Sequence, residues 1–335
     1  MMGKRVKYLD VAKFIGIFCI YLGHFGDAAG YAYSFVFTFH VALFFFLSGC
    51  SEWLSTERTW KQYFYKTFKG IMGPFYLFAI AAVVFRCVLD NTYANVGQNL
   101  ICILKGCIRN RFFAGGLWFL SCLFVVKLCF YILRKLLKSK LLILIACLAL
   151  YLAAQLLIDP KPTIQPHMAY NIDSACYYMI FYGLGYCGFD KIHTLFAFDT
   201  VCKRVWGGIL GGVSCAFSAA LFFGKNVLYV FGSNAIVYLI NCILTPCIVI
   251  FFVLTVSKLM QDVTLFGEMG KNTLYLCGSE YVMRRLIPIC LQTVGLNIAL
   301  PSPLSAYLYT FALLLLCNKL FVPAEKAVFA KLRFF

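Results

Sequence analysis

The chain alternates long, uniformly apolar runs with short polar connections. A membrane-crossing helix needs about 20 apolar residues, somewhat fewer where neighbouring helices cover its ends. Ten segments meet that length, at 10–26, 33–51, 71–89, 116–134, 141–158, 173–189, 206–223, 228–256, 272–291 and 304–322. The eighth is long enough to tilt, or to include an extramembrane turn near Thr245-Pro246. The pattern predicts an all-α fold, a polytopic integral membrane helix bundle of about ten transmembrane helices. The first run, from Val11 to Leu22, has no small-residue cleavage site and leads into a second run, so the first span is expected to be retained. No repeat or linker interrupts the pattern, and residues 1–335 read as a single membrane-embedded domain with no extracytoplasmic domain.

Composition agrees: 62% of the residues are hydrophobic and 13% charged, with a mean hydropathy of +0.84, which excludes an ordinary soluble domain. A net charge of +17 would suggest nucleic acid in a soluble protein, but here the position of the charges decides. With a cytoplasmic N-terminus, nineteen Lys and Arg fall in inner segments, against five in outer ones: Lys105, Arg109, Arg111, Lys161 and Lys225. That positive-inside bias survives only for an even number of spans, so both termini are expected in the cytoplasm, and no nucleic-acid partner is implied. The 17 cysteines are scattered through apolar runs without metal-ligand spacing, and read as small packing residues rather than ligands.

Ionisable side chains within spans are costly unless paired or hydrated, and so mark candidate sites. Asp10, Lys13, His24 and His40 stand out in the first two spans, and Glu280, Arg284 and Arg285 in the ninth. Lys13 and His24, eleven residues apart, share a helix face but lie about 16 Å apart along it. Asp10 is one turn from Lys13 and is placed to pair with it, but is too far from His24 to orient its imidazole. His40, about 10 Å from the outer end of its span, approaches the depth of His24, so the two histidines could line one cavity. The spacing of Glu280 and Arg284 suits an ion pair as well as substrate binding, and leaves the charge of Arg285 uncompensated. Snorkelling of Lys13 and plain polar packing of the histidines are the competing readings.

The residues also carry a family pattern. Tyr8-Leu9-Asp10-Val11-Ala12-Lys13, ten residues, then Gly23-His24 resembles the opening motif of the acyltransferase 3 superfamily of integral membrane acyltransferases. Phe39-His40-Val41-Ala42-Leu43-Phe44-Phe45-Phe46-Leu47-Ser48-Gly49 resembles its second-span signature, with Val41-Ala42 in place of the usual Met-Pro. That departure removes a helix-entry proline and is expected to alter the local kink. The basic loop Lys66…Lys69…Pro74, Gly116-Leu117-Trp118-Phe119-Leu120, Asn171-Ile172-Asp173 and Gly270-Lys271-Asn272-Thr273-Leu274 follow in register. Many members have a His where this chain has Glu280, so a role for that His does not carry over. Within that superfamily the pattern resembles the fucose 4-O-acetylase-like branch.

The resemblance implies acyl transfer, usually acetyl, from acetyl-CoA or another acyl-CoA to a hydroxyl of a cell-surface or lipid-linked carbohydrate, in the cell membrane and in contact with its lipid. It casts His24 and His40 as catalytic, and Lys13, Lys66 and Lys69 as cations for the coenzyme A phosphates. Asp10, Ser48, Trp118, Glu280, Arg284 and Arg285 become substrate or structural support. An imidazole, with an unperturbed pKa near 6.5, suits either deprotonation of the acceptor hydroxyl or covalent carriage of the acyl group. The rival reading is a transporter or flippase, although no clear inverted repeat supports it. The acceptor, the acyl length and the oligomeric state stay open at this level.

Overall fold

A computed structural model describes residues 5–91, 93, 95–158, 162–225 and 234–332. Lys4, Lys161, Arg333 and the start of the eighth expected span lie outside the described residues. Among the described residues the chain is predominantly helical and contains no strand. It forms two compact units: Met1–Ser55, Leu184–Thr273 and Ala299–Leu315 in the first, and Thr56–Gly183, Leu274–Ile298 and Leu316–Phe335 in the second.

The first unit is organised around α1 (Lys7–Gly23). Its apolar residues bury on every side, as expected of a helix surrounded by others. Against it pack α2 (Tyr31–Phe37), α3 (His40–Trp53), α11 (Ala235–Leu259) and α12 (Thr264–Lys271), with α10 (Val201–Phe222) against α11. Small residues permit the close approaches. A side chain at Gly16 would meet the ring of Phe44 on α3 at 2.8 Å, and one at Gly270 would lie 2.5 Å from the carbonyl carbon of Asp10. The helix α11 runs unbroken through buried Pro246, supported by a hydrogen bond from Thr245 Oγ1 to Asn241 Oδ1, so the turn considered near Thr245-Pro246 does not form.

In the second unit, α5 (Gly73–Asp90) packs against α6 (Val96–Leu104) and α14 (Glu280–Thr293), and α7 (Trp118–Leu136) against α4 (Trp60–Thr67) and α8 (Lys140–Ala153). The segment 52–70, expected to be a loop, is largely helical. Thr59 and Gln62 close a reciprocal capping box at the start of α4, and the helix continues through a π turn, Phe68–Met72, into α5. The wider π turn accommodates Pro74, which cannot donate to the preceding turn.

Among the described residues, six helical stretches are long and apolar enough to cross a membrane: Tyr31–Trp53, Trp60–Asp90, Lys140–Ile158, Val201–Phe222, Ala235–Leu259 and Pro303–Lys331. In Lys140–Ile158 only 22% of the most apolar stretch is buried by protein, leaving Leu141, Leu142, Ile145 and Leu148 exposed as a lipid-facing stripe would be. These features make the chain a multi-pass membrane protein. The other four expected segments are helical too, but each departs from a simple span. The helix α1 has 17 residues, α7 carries three cations, α9 (Ile172–Leu195) carries polar residues at both ends, and the ninth segment breaks at Ser279 between α13 (Thr273–Gly278) and α14.

Candidate functional site

In the first unit, α1 ends at His24, the C-cap residue, whose backbone bends back onto Tyr21 and Leu22. Gly23 lies against α2: a Cβ there would stand 3.3 Å from the side chains of both Val36 and Phe37. The second expected span is broken at Thr38-Phe39, where Phe39 adopts φ −140° and ψ −26°, and α3 starts at His40. A break therefore precedes His40 even though Val41-Ala42 supplies no proline. His40 is buried, its Nδ1 2.6 Å from the Val36 carbonyl oxygen and its ring edge-on to Phe37 at 5.2 Å. A carbonyl only accepts, so Nδ1 must donate, and in the neutral imidazole the lone pair sits on Nε2. The Gly23-His24 end of α1 and His40 thus converge on one pair of residues, Val36 and Phe37.

At the other end of α1, Asp10 is buried and held by two cations: Lys13 Nζ at 3.3 Å, as the i,i+3 spacing predicts, and Arg5 Nε at 2.6 Å, which the spacing did not single out. Lys13 keeps 30% of its side chain exposed, so it answers Asp10 without being sealed from a ligand. Asp10 and His24 sit at opposite ends of one straight helix, roughly 21 Å apart by the helical rise. Ser48 is half-buried, eight residues along α3 from His40.

The second unit holds the remaining candidates. Lys66 is exposed on α4 and Lys69 half-buried in the π turn, so both are helical rather than loop lysines. Trp118 opens α7, buried, with the Arg109 guanidinium 4.5 Å over its ring and Tyr178 beside it. Asn171, in the left-handed region at φ 55°, is fully buried. Its Oδ1 accepts from the Arg109 backbone N–H at 2.9 Å, and its Nδ2 donates to Ser121 Oγ at 3.1 Å and the Gly106 carbonyl at 3.3 Å. Asp173 accepts from the backbone N–H groups of His167, at 2.6 Å, and Met168. The Trp118 and Asn171-Ile172-Asp173 blocks therefore belong to one buried polar clasp that fixes the start of α7 and α9.

Glu280, buried at the start of α14, pairs with Arg284 at 2.8 Å as the i,i+4 spacing predicts. Arg285 is not uncompensated: its two terminal nitrogens reach the two oxygens of Asp90 at 3.1 and 2.8 Å, and it also donates to the Tyr281 hydroxyl. Sequence reading missed three charged residues here. Asp90 and Arg109 were assigned to loops, and Lys127, whose Nζ lies 3.3 Å from the Tyr182 hydroxyl, went unremarked inside an apolar run. Lys127 had a signal, a cation in a span; the partner of Arg285 had none, being 195 residues away.

A family model described as an acyltransferase domain, of the acyltransferase 3 family, matches residues 6–320. No curated protein and no solved structure matches the chain significantly. The match takes in the opening motif at Lys13 and His24, the second-span signature around His40 and the Glu280 segment in one alignment. A multi-pass helical membrane chain matched over nearly its whole length belongs to the acyltransferase 3 family of enzymes that transfer acyl groups other than amino-acyl groups.

Proposed function

We propose that this enzyme is an O-acyltransferase, specifically an O-acetyltransferase, moving an acyl group from acyl-CoA to a hydroxyl of a cell-surface or lipid-linked carbohydrate. Family membership supplies acyl transfer and favours it over transport or lipid flipping. The observation that carries the site is the convergence of the His24 end of α1 and His40 on Val36 and Phe37.

The residue types suit the chemistry. The acceptor hydroxyl is a poor nucleophile at neutral pH, so an imidazole takes its proton as the oxygen attacks the thioester carbonyl carbon. The carbon–sulfur bond then breaks, and the coenzyme A thiolate leaves and is reprotonated. His24 takes the proton in this reading, with His40 alongside, its Nδ1–H committed to Val36 and its Nε2 lone pair directed elsewhere. Lys13, Lys66 and Lys69 supply positive charge to the donor phosphates. Lys13, about 16 Å from His24 along α1, sets a long span between phosphate and reacting carbonyl, as the extended pantetheine arm of the donor requires. The positive-inside distribution supports a cell-membrane protein with both termini cytoplasmic and the donor entering from that side.

The test supplies isotope-labelled acetyl-CoA to membranes containing the protein. Label is expected in base-labile ester linkage on a glycan; membranes that label no more than controls lacking the protein would count against the reading.

A further inference from the structure

A cavity of about 350 Å³ opens in the first unit at the start of α1, at the other end of that helix from His24. It is lined by Arg5, Lys7, Tyr8, His193, Lys258 and Gln261, with the apolar Val6 and Leu54 between them. Three of these eight residues, Arg5, Lys7 and Lys258, are cations and none is acidic. Asp10 on Arg5 and Asp262 on Lys7 hold two of these cations from outside the lining. Lys258 is half-buried, 3.3 Å from Gln261 Oε1 and 5.9 Å above the Tyr8 ring, and makes no ion pair among the described residues. Tyr8, itself buried, puts its hydroxyl 3.3 Å from His193 Nδ1 and organises the wall. Burial, and then the neighbouring charge of Lys258, hold the His193 pKa below the usual imidazole range, a sign of a positive and partly desolvated environment. Lys7 and Tyr8 are also the first residues of α1, behind the N-cap residue Val6, and with no side-chain cap there the backbone N–H groups add to the positive field.

We propose that this cavity is a binding site for the phosphate groups of a nucleotide-sized ligand, with Lys258 and Arg5 as its principal anion contacts. The volume falls in the range of small-molecule pockets and exceeds what a lone inorganic ion needs. Guanidinium and ammonium groups together make charge-assisted hydrogen bonds to phosphate oxygens, and Tyr8 and Gln261 offer neutral polar contacts beside them. The same chemistry is offered by the nucleotide end of an acyl-CoA or by the headgroup of an anionic phospholipid. The first source rests on the acyl-transfer reading; the phosphate site itself does not.

The experiment uses full-length protein in phosphatidylcholine nanodiscs. Binding of coenzyme A and of 3′-dephospho-coenzyme A is measured by calorimetry, and retention of phosphatidic acid by native mass spectrometry. Lys258→Gln is expected to weaken binding of the phosphate-bearing ligand about tenfold or more, with Lys258→Arg restoring it. A loss confined to coenzyme A identifies the acyl donor, and one confined to phosphatidic acid identifies the lipid headgroup; either supports the site. Arg5→Gln, which removes the other principal contact, provides a second variant should Lys258→Gln fail to fold. Unchanged binding of both ligands in folded variants would overturn the proposal. Binding is read without turnover, so a failure of the acyl-transfer reading remains distinguishable: His24→Ala should lose transfer and keep this binding.

Discussion

His40 Nδ1 sits 2.6 Å from the carbonyl oxygen of Val36, closing the break between α2 and α3 and fixing the tautomer of a buried imidazole. The bond does two things at once. It adds a second donor to the Val36 carbonyl, which also accepts from the Phe39 backbone N–H at 3.3 Å, and it turns the lone pair of His40 to Nε2.

The two nitrogens can be separated by substitution. Asparagine can mimic the Nδ1 donor and glutamine the Nε2 position. His40→Asn should keep the Val36 contact and melt close to wild type while slowing turnover on the order of 100-fold. His40→Gln should lose the contact and about 1 kcal/mol of stability. Thermal melts paired with turnover measurements check this; a fully active His40→Asn would assign His40 to structure alone.

Gly270 lets α12 meet α1 at the backbone of Asp10, with a Cβ there only 2.5 Å from the Asp10 carbonyl carbon. Gly270→Ala should therefore destabilise the protein by on the order of 1–3 kcal/mol by forcing the two backbones apart. A melting temperature equal to wild type would show that the crossing is looser than described. The block Gly270-Lys271-Asn272-Thr273 thus has a packing reason beside any catalytic one.

Lys66 and Lys69 are assigned to the donor. Lys66→Gln with Lys69→Gln should raise the apparent KM for acyl-CoA about tenfold and leave the acceptor KM nearly unchanged. Initial-rate kinetics with each substrate varied in turn distinguish the two. An effect on the acceptor alone would reverse the assignment.

Topology follows from the nineteen-to-five division of basic residues. Cysteine-labelling should find 52–70, 134–140 and 323–335 accessible from the cytoplasm, and 91–114 and 159–172 from outside. An extracytoplasmic C-terminus would contradict the ten-span reading.

The helical segments were legible because an uninterrupted apolar run of about 20 residues has few other solutions in a bilayer. Local pairs were legible for the same kind of reason: Asp10–Lys13 and Glu280–Arg284 lie one turn apart. The helix at Trp60–Thr67 was hidden by its polar composition, although Thr59 and Gln62 carry the capping-box spacing that announces it. The break at Phe39 has no proline or glycine to mark it. Asp90–Arg285, the Arg109–Trp118 stack and the cationic wall at Lys258 join residues far apart in sequence, and no periodicity encodes such contacts.

The central claim, that His24 performs acyl transfer, is tested most directly by single-turnover transfer from labelled acetyl-CoA with purified wild-type and His24→Ala protein in nanodiscs. Donor binding is measured on the same samples. The account predicts equal folding and donor binding, with transfer by the variant reduced on the order of 100-fold or more. Wild-type transfer by a well-folded His24→Ala protein would contradict it.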